Sequence, residues 1–156
     1  MTINSMDSDV KARLDALTAA FFAAVSFEEG GKPSYQDLYD LFIPSGLLIR
    51  ASDDQPEIAT VSQFIEPRQK RVDSGELVRF REAETAEITE IFGNVAQRFS
   101  TYTKSGLSGG SPIEGQGVIS IQFIRVGGSW KISSMAWDDE RPGLVIPQRY
   151  RTTVSR

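Results

Sequence analysis

GVISIQFIRVGGSWKISSMAWD, residues 117–138, is the stretch around which the rest of the chain is organised. It reads as two strands joined by Gly127 and Gly128. β-Branched and aromatic residues crowd both arms (Val118, Ile119, Ile121, Phe123, Ile124, Val126, Trp130, Ile132), and such side chains suit a pleated surface. A glycine pair reaches the positive φ of a tight primed turn, which most residues cannot. On the first arm Ile119, Ile121 and Phe123 share one face. Val118, Ser120, Gln122 and Ile124 share the other, which is mixed. On the second arm Trp130 and Ile132 alternate, and then the phase slips, because Met135 and Trp137 are the next large apolar residues. A β-bulge near Ser133 and Ser134 brings all four onto one face. Without it, both faces of the sheet are partly covered.

Upstream, residues 79–92 have strand period. Phe80, Glu82, Glu84, Ala86 and Ile88 fall on one face and Arg81, Ala83, Thr85, Glu87 and Thr89 on the other. Gly93-Asn94 is a hairpin turn, and 95–104 returns with Ala96, Arg98, Ser100 and Tyr102 on one side. SGLSGGSP, 105–112, reads as a flexible loop.

The first part of the chain is helical. Val10, Leu14, Leu17, Phe21 and Val25 form one amphipathic stripe, with Asp7 or Ser8 as cap and a frayed start before it. Gly30-Gly31-Lys32-Pro33 breaks it. A second short helix is expected over 34–42, a short strand over 47–51, and a polar loop over 52–57. A third helix starts at Thr60 or Ser62, carries Phe64, Ile65 and Val72, and stops at Gly75, with Pro67 kinking or splitting it. In this pattern Arg68, Lys70 and Arg71 form a solvated face. Helices followed by long strands indicate one α+β domain over 1–156, with a core of about 8–142, an irregular tail, and helices on one face of a mainly antiparallel sheet.

Composition narrows the chemistry. The 156 residues suffice for a sizeable core. Net charge is −4, which argues against nucleic acid or an anionic membrane as partner. No cysteine is present, so disulfides and thiolate catalysis are excluded. No histidine is present either, which removes the Ser-His-Asp triad and most zinc sites. Acid–base chemistry must use Asp, Glu, Tyr or Lys, and neither a metal nor a cofactor is expected. The first residues, MTINSMDSDV, have neither the basic nor the apolar segment of a secretory signal, and no stretch reaches transmembrane length. A cytoplasmic protein is the expectation. The glycine pairs at 109–110 and 127–128 are turn glycines outside any strand–helix phosphate-binding pattern.

Three segments carry a family resemblance: AFFAAV (20–25), IFGNVAQRFSTY (91–102) and GVISIQFIRVGGSWKISSMAWDDE (117–140). They resemble the nuclear transport factor 2-like superfamily, and within it small uncharacterised bacterial proteins grouped with SnoaL-like polyketide cyclases. The resemblance spans roughly residues 10–142. It implies a cone, a strongly curved sheet wrapped around three N-terminal helices with a pocket at the open end. It also implies a homodimer through the outer sheet face. Its members include ketosteroid isomerase, cyclases, dehydratases and non-enzymatic binding modules, so the fold alone does not choose a function. Members that rely on histidine are discounted here.

The candidate residues follow. Glu82 and Glu84, beside Phe80, are carboxylates for acid–base work if their face is concave. Alternatively they lie on an outer face, paired across strands with Arg98. Asp138, after Trp137, is a third candidate base or a polar strand end. Tyr102 or Tyr39 is the candidate hydroxyl donor. Phe22, Tyr39, Phe64 and Trp137 are the candidate ligand walls, or ordinary core and dimer contacts. Two functions follow from these sets. One is the binding of an unknown small apolar or carbonyl-containing molecule in the cone of a homodimer. The other is a cofactor-independent isomerase, cyclase or dehydratase with a carboxylate base and a tyrosine donor.

Overall fold

The computed structural model describes residues 5–152. Most of the expected frayed start therefore lies outside the described residues. Helix α1, Ser5–Val25, begins before the expected caps, so Asp7 and Ser8 lie in its first turn. Its stripe is the predicted one: Leu14, Phe21 and Val25 are buried, and Val10 and Leu17 pack against the same core. The second helical segment is shorter than expected. It is a 3₁₀ turn, Tyr35–Asp37, running into the single-turn α2, Leu38–Leu41. Strand β1, Phe42–Arg50, starts earlier than the short strand expected at 47–51.

The polar loop at 52–57 gives way to a strand the sequence pattern did not signal. β2, Glu57–Thr60, pairs antiparallel with β1. Helix α3, Val61–Asp73, is capped as expected by Thr60, whose hydroxyl accepts from the Gln63 N–H while the Gln63 side chain accepts from the Thr60 N–H. Gly75 stops it with φ of 81°. Pro67 lies inside α3 without splitting it.

Four long strands follow: β3 (Leu77–Phe92), β4 (Val95–Ser108), β5 (Ser111–Val126) and β6 (Ser129–Asp139). The expected loop over 105–112 is instead the end of one strand, a Gly109-Gly110 turn and the start of the next. The six-stranded sheet has the order β2-β1-β6-β5-β4-β3 and is not closed. Every pairing is antiparallel except β1 with β6. The architecture is α+β, as the order of patterns indicates.

Bulges decide which side chains face inward. In β6, Gln122 opposes Ser134 and Phe123 opposes Ile132, which leaves Ser133 as the extra residue. That is the expected bulge. It puts Trp130, Ile132 and Met135 into the core and Trp137 on the same face. In β3, Glu84 opposes Tyr102 and Ala86 opposes Thr101, so Thr85 is extra. This second bulge corrects the expected alternation. Phe80, Glu82 and Glu84 do share the inner face, but Ala86 and Ile88 leave it, and Glu87 and Thr89 replace them opposite the inner-face Ser100 and Arg98.

Candidate functional site

A cavity of about 300 Å³ lies between α1, α3 and the concave face of the sheet. Phe21, Val25, Phe64, Phe80, Ile119 and Trp137 form its apolar wall. Phe64 and Trp137 meet edge-on, with ring centroids 6.1 Å apart and planes at 89°. Trp137 reaches this face only because of the Ser133 bulge. Polar groups arrive from five elements: Tyr35 from the 3₁₀ turn, Arg50 from β1, Arg68 and Arg71 from α3, Glu82 from β3 and Lys104 from β4.

Glu82 is the group whose chemistry stands out. Its backbone N–H and C=O are both engaged by the Ser26 hydroxyl, at 3.1 and 3.3 Å, which ties the edge strand to the end of α1. Its carboxylate has no hydrogen bond or ion pair among the described residues. Burial pushes its pKa from 4.5 up to about 7. Lys104 and Arg68 pull it down, Asp139 pushes it up, and desolvation outweighs them all. Glu82 also borders a second, more open groove between α1 and β3.

Glu84, two residues on, is committed to an ion pair. Arg98 donates to both of its carboxylate oxygens, at 2.6 and 3.1 Å, and to Asp15 of α1 at 2.6 Å. Ser100 donates to Glu84 as well. The expected pairing with Arg98 is present, but on the inner face beneath α1 rather than on the outer one. Burial acts against the Arg98 charge, and the bonds from Glu84 and Asp15 more than restore it. This network lines the second groove, not the cavity.

Tyr102 is fully buried, and its hydroxyl donates to the Asp139 carboxylate, which Lys104 holds at 2.9 Å from the other side. Burial and the Asp139 charge raise the phenol well above its ordinary range. Burial disfavours the Asp139 charge, but the bonds from Tyr102 and Lys104 hold its carboxyl below the usual value. Tyr102 therefore holds its proton on Asp139 and is not among the residues lining the cavity.

The other candidates divide. Asp138 is paired with Arg141 at 2.5 Å and lies on the outer face, because the alternation that takes Trp137 inward takes Asp138 outward. Phe22 is buried against the second groove, while its neighbour Phe21 lines the cavity. Tyr39 is 48% exposed on α2 and borders neither space.

Sequence reasoning missed Tyr35, Arg50, Arg68, Arg71 and Lys104; Asp139 reads together with Asp138 as a cone-mouth residue or a polar strand end. Some signal was present. Phe64, Arg68 and Arg71 recur at helical spacing on one face of α3, and Lys104 extends the Ala96–Tyr102 face by one step. The solvated-face reading holds for Lys70, which is exposed, and in part for Arg71, whose side chain is 41% exposed at the cavity, but not for Arg68. Tyr35 is buried, which raises its phenol pKa and keeps it protonated, and its hydroxyl makes no hydrogen bond among the described residues. A free hydroxyl donor and an unpaired carboxyl thus line one small space with an aromatic wall and several charged groups. That pairing can accept a proton from carbon and stabilise the oxygen charge that results.

No family model matches the chain, and no curated protein matches it. Solved structures do. A nuclear transport factor 2-like superfamily protein from Salmonella enterica serovar Typhimurium superposes with a TM-score of 0.70 at 15% identity, over 86% of this chain and 93% of its own. A cystatin-like-fold protein of unknown function from Nostoc punctiforme gives 0.65 at 16%, over 90% and 96%. A nuclear transport factor 2-like protein of unknown function from Prochlorococcus marinus gives 0.66 at 18%, over 89% and 95%. The chain has the nuclear transport factor 2-like, cystatin-like α+β fold. Among the described residues no helix is long and apolar enough to cross a membrane.

Proposed function

We propose that the chain binds a small carbonyl-containing molecule in this cavity and moves a proton on it without a cofactor, Glu82 serving as the base and Tyr35 as the donor to oxygen. The observation that carries this reading is the Glu82 carboxyl: unpaired, lining the cavity and poised near 7 by burial. Its ionised form takes a proton from the carbon next to the carbonyl. The electron pair moves onto the carbonyl oxygen, which accepts a hydrogen bond from the Tyr35 hydroxyl. Glu82 then returns the proton to the same or a neighbouring carbon, and the carboxylate is regenerated.

A homodimer through the outer sheet face belongs to the same reading. Its support is a partly apolar surface on β3 and β4, where Phe99 is half-exposed and meets Tyr150 edge-on with centroids 5.2 Å apart. The C-terminal segment crosses that surface, with Ile146 buried and Thr101 donating to the Tyr150 carbonyl, so a partner copy would meet the segment as well as the strands.

Deuterium exchange tests the proton transfer without knowledge of the natural product. Phenylpyruvate, acetophenone and cyclohexenone are incubated with the protein in D₂O, and label at the carbon next to the carbonyl is followed by NMR. Exchange above the buffer rate, rising with pH through about 7 and reduced about 10²-fold or more in Glu82→Gln, supports the reading. Exchange no faster than buffer with every ketone, or equal rates in Glu82→Gln and the parent, removes it.

A further inference from the structure

The cavity is charged in a way that proton transfer alone does not require. Arg50, Arg68, Arg71 and Lys104 line it against the single carboxyl of Glu82. Each cation has an acidic neighbour, but three of the four pairs are loose. Arg50 is 3.6 Å from Asp53, Arg68 is 3.7 Å from Glu57, and Arg71 is 3.5 Å from Glu76. A charge-assisted hydrogen bond is about 2.7–2.9 Å long. Those three acids are each at least half exposed and none lines the cavity, so water screens their charge; of the three arginines Arg68 is the most buried, its side chain 22% exposed against 42% for Arg50 and 41% for Arg71.

Arg68 differs from the other three. Its guanidinium carbon lies over the Phe64 ring, 3.7 Å from the centroid, and the group donates one bond of 3.0 Å to the Phe64 carbonyl. Its Nε and Nη2 hydrogens have no acceptor among the described residues. Arg71, by contrast, donates to Ser108 at 2.7 Å, and Lys104 is held by Asp139 at 2.9 Å. Arg68 is thus a planar fork, fixed on one face by an aromatic ring, with donors unspent at the wall of a small cavity. Donors left unpaired at a cavity wall are available to a matching acceptor in a bound molecule.

We propose that the molecule held in the cavity is a small organic monocarboxylate, its carboxyl group taken by the free edge of Arg68 and its body packed between Phe64, Phe80 and Trp137. This rests on the reading that the cavity is the ligand site, and joined to the proposed proton transfer it makes the substrate an oxo acid. A singly charged carboxylate is favoured over a phosphate dianion because the Glu82 carboxyl lines the same cavity and repels a doubly charged ion more strongly. The coplanar donors of the fork match a planar carboxylate. The volume sets the size: about 300 Å³ equals the liquid volume of roughly ten waters, space for an acid of about that many non-hydrogen atoms.

Paired ligands test this in the intact protein at pH 6, followed by NMR or calorimetry. Benzoate and phenylacetate are compared with benzamide and phenylacetamide, which keep the shape and lose the charge, and with inorganic phosphate. The expected result is binding of at least one acid ten-fold or more tighter than its amide and tighter than phosphate. Arg68→Met should abolish that preference and leave amide affinity unchanged, with Arg68→Lys partly restoring it. Equal affinity for acid and amide, tighter binding of phosphate, or no binding of either acid overturns the proposal. If Arg68→Met fails to fold, the comparison in the parent protein still decides. The proton-transfer reading is separable: an acid preference without deuterium exchange ends that reading alone, and exchange without an acid preference ends this inference alone.

Discussion

Replacing Glu82 by Gln stabilises the protein at alkaline pH and leaves it almost unchanged in acid. The carboxyl titrates near 7 in the folded chain and at about 4.5 once unfolding returns it to water. The folded state therefore binds a proton more tightly than the unfolded state. The stabilisation from that proton is complete below about 4.5 and is lost as pH rises through about 7. The gap of about 2.5 pH units, at ~1.4 kcal/mol each, amounts to on the order of 3 kcal/mol at pH 9. Gln has nearly the same shape and no charge to desolvate, so it escapes that loss. For a domain of this size ~1 kcal/mol moves Tm by about 2–4 °C, which gives a gain of roughly 6–12 °C at pH 9 and close to none at pH 4. Thermal unfolding of both proteins across pH 4–9 measures it. A Tm for Glu82→Gln at or below that of the parent at pH 9, or the same gain at every pH, would refute the reasoning. A residue that weakens the fold at working pH while contributing no contact is the kind retained for chemistry.

Neighbouring substitutions behave differently. Glu84→Gln loses one partner of a buried pair with Arg98 and is expected to destabilise by about 3 kcal/mol, read from chemical denaturation at pH 7. Gly117→Ala drives a methyl group into both the Tyr102 hydroxyl and the Asp138 carbonyl. It should cost about 1–3 kcal/mol or more and break the Tyr102–Asp139 hydrogen bond, visible as a changed tyrosine absorption on alkaline titration. Phe99→Glu places a charge on the outer sheet face. If that face joins two copies, light scattering will show a dimer for the parent and a monomer for the variant, whereas equal masses would remove the interface.

The two bulges explain how far the sequence carried the structure. At Ser133 the slip moves between large apolar markers, Ile132 and Met135, so a change of phase is visible in the residues themselves. At Thr85 the flanking sequence is Glu-Ala-Glu-Thr-Ala-Glu, and either phase presents the same mixture of acid, alanine and threonine. Nothing local selects one phase. The choice is made by β4, whose Arg98 draws Glu84 inward and is itself bonded to Asp15 of α1. For the same reason the candidate bases were recognisable as a group while their roles were not. Glu82 and Glu84 differ only in what the rest of the fold brings opposite them.

The cavity cations were harder to read. An arginine at helical spacing ordinarily faces water, and only the position of Phe64 on the same face marks Arg68 and Arg71 as turned inward. Tyr35 sits in a three-residue 3₁₀ turn with no periodicity to expose its direction. The C-terminal segment gave no pattern because Ile146, its one buried apolar residue among the described residues, is isolated. The segment is held instead by polar bonds from Arg151 to Gln116 and Glu140.

The most direct measurement is the titration of the Glu82 side-chain carboxyl itself, by ¹³C NMR with Glu82→Gln identifying the resonance. Burial keeps the Tyr35 and Tyr102 phenols protonated, and the bonds from Tyr102 and Lys104 keep Asp139 ionised, so one transition is expected between pH 5 and 9. It should fall near 7 in the free protein and move upward when benzoate binds, because a second negative charge in the cavity favours the protonated acid. A midpoint near 4.5, unmoved by benzoate, would contradict both the base and the ligand assigned to this cavity.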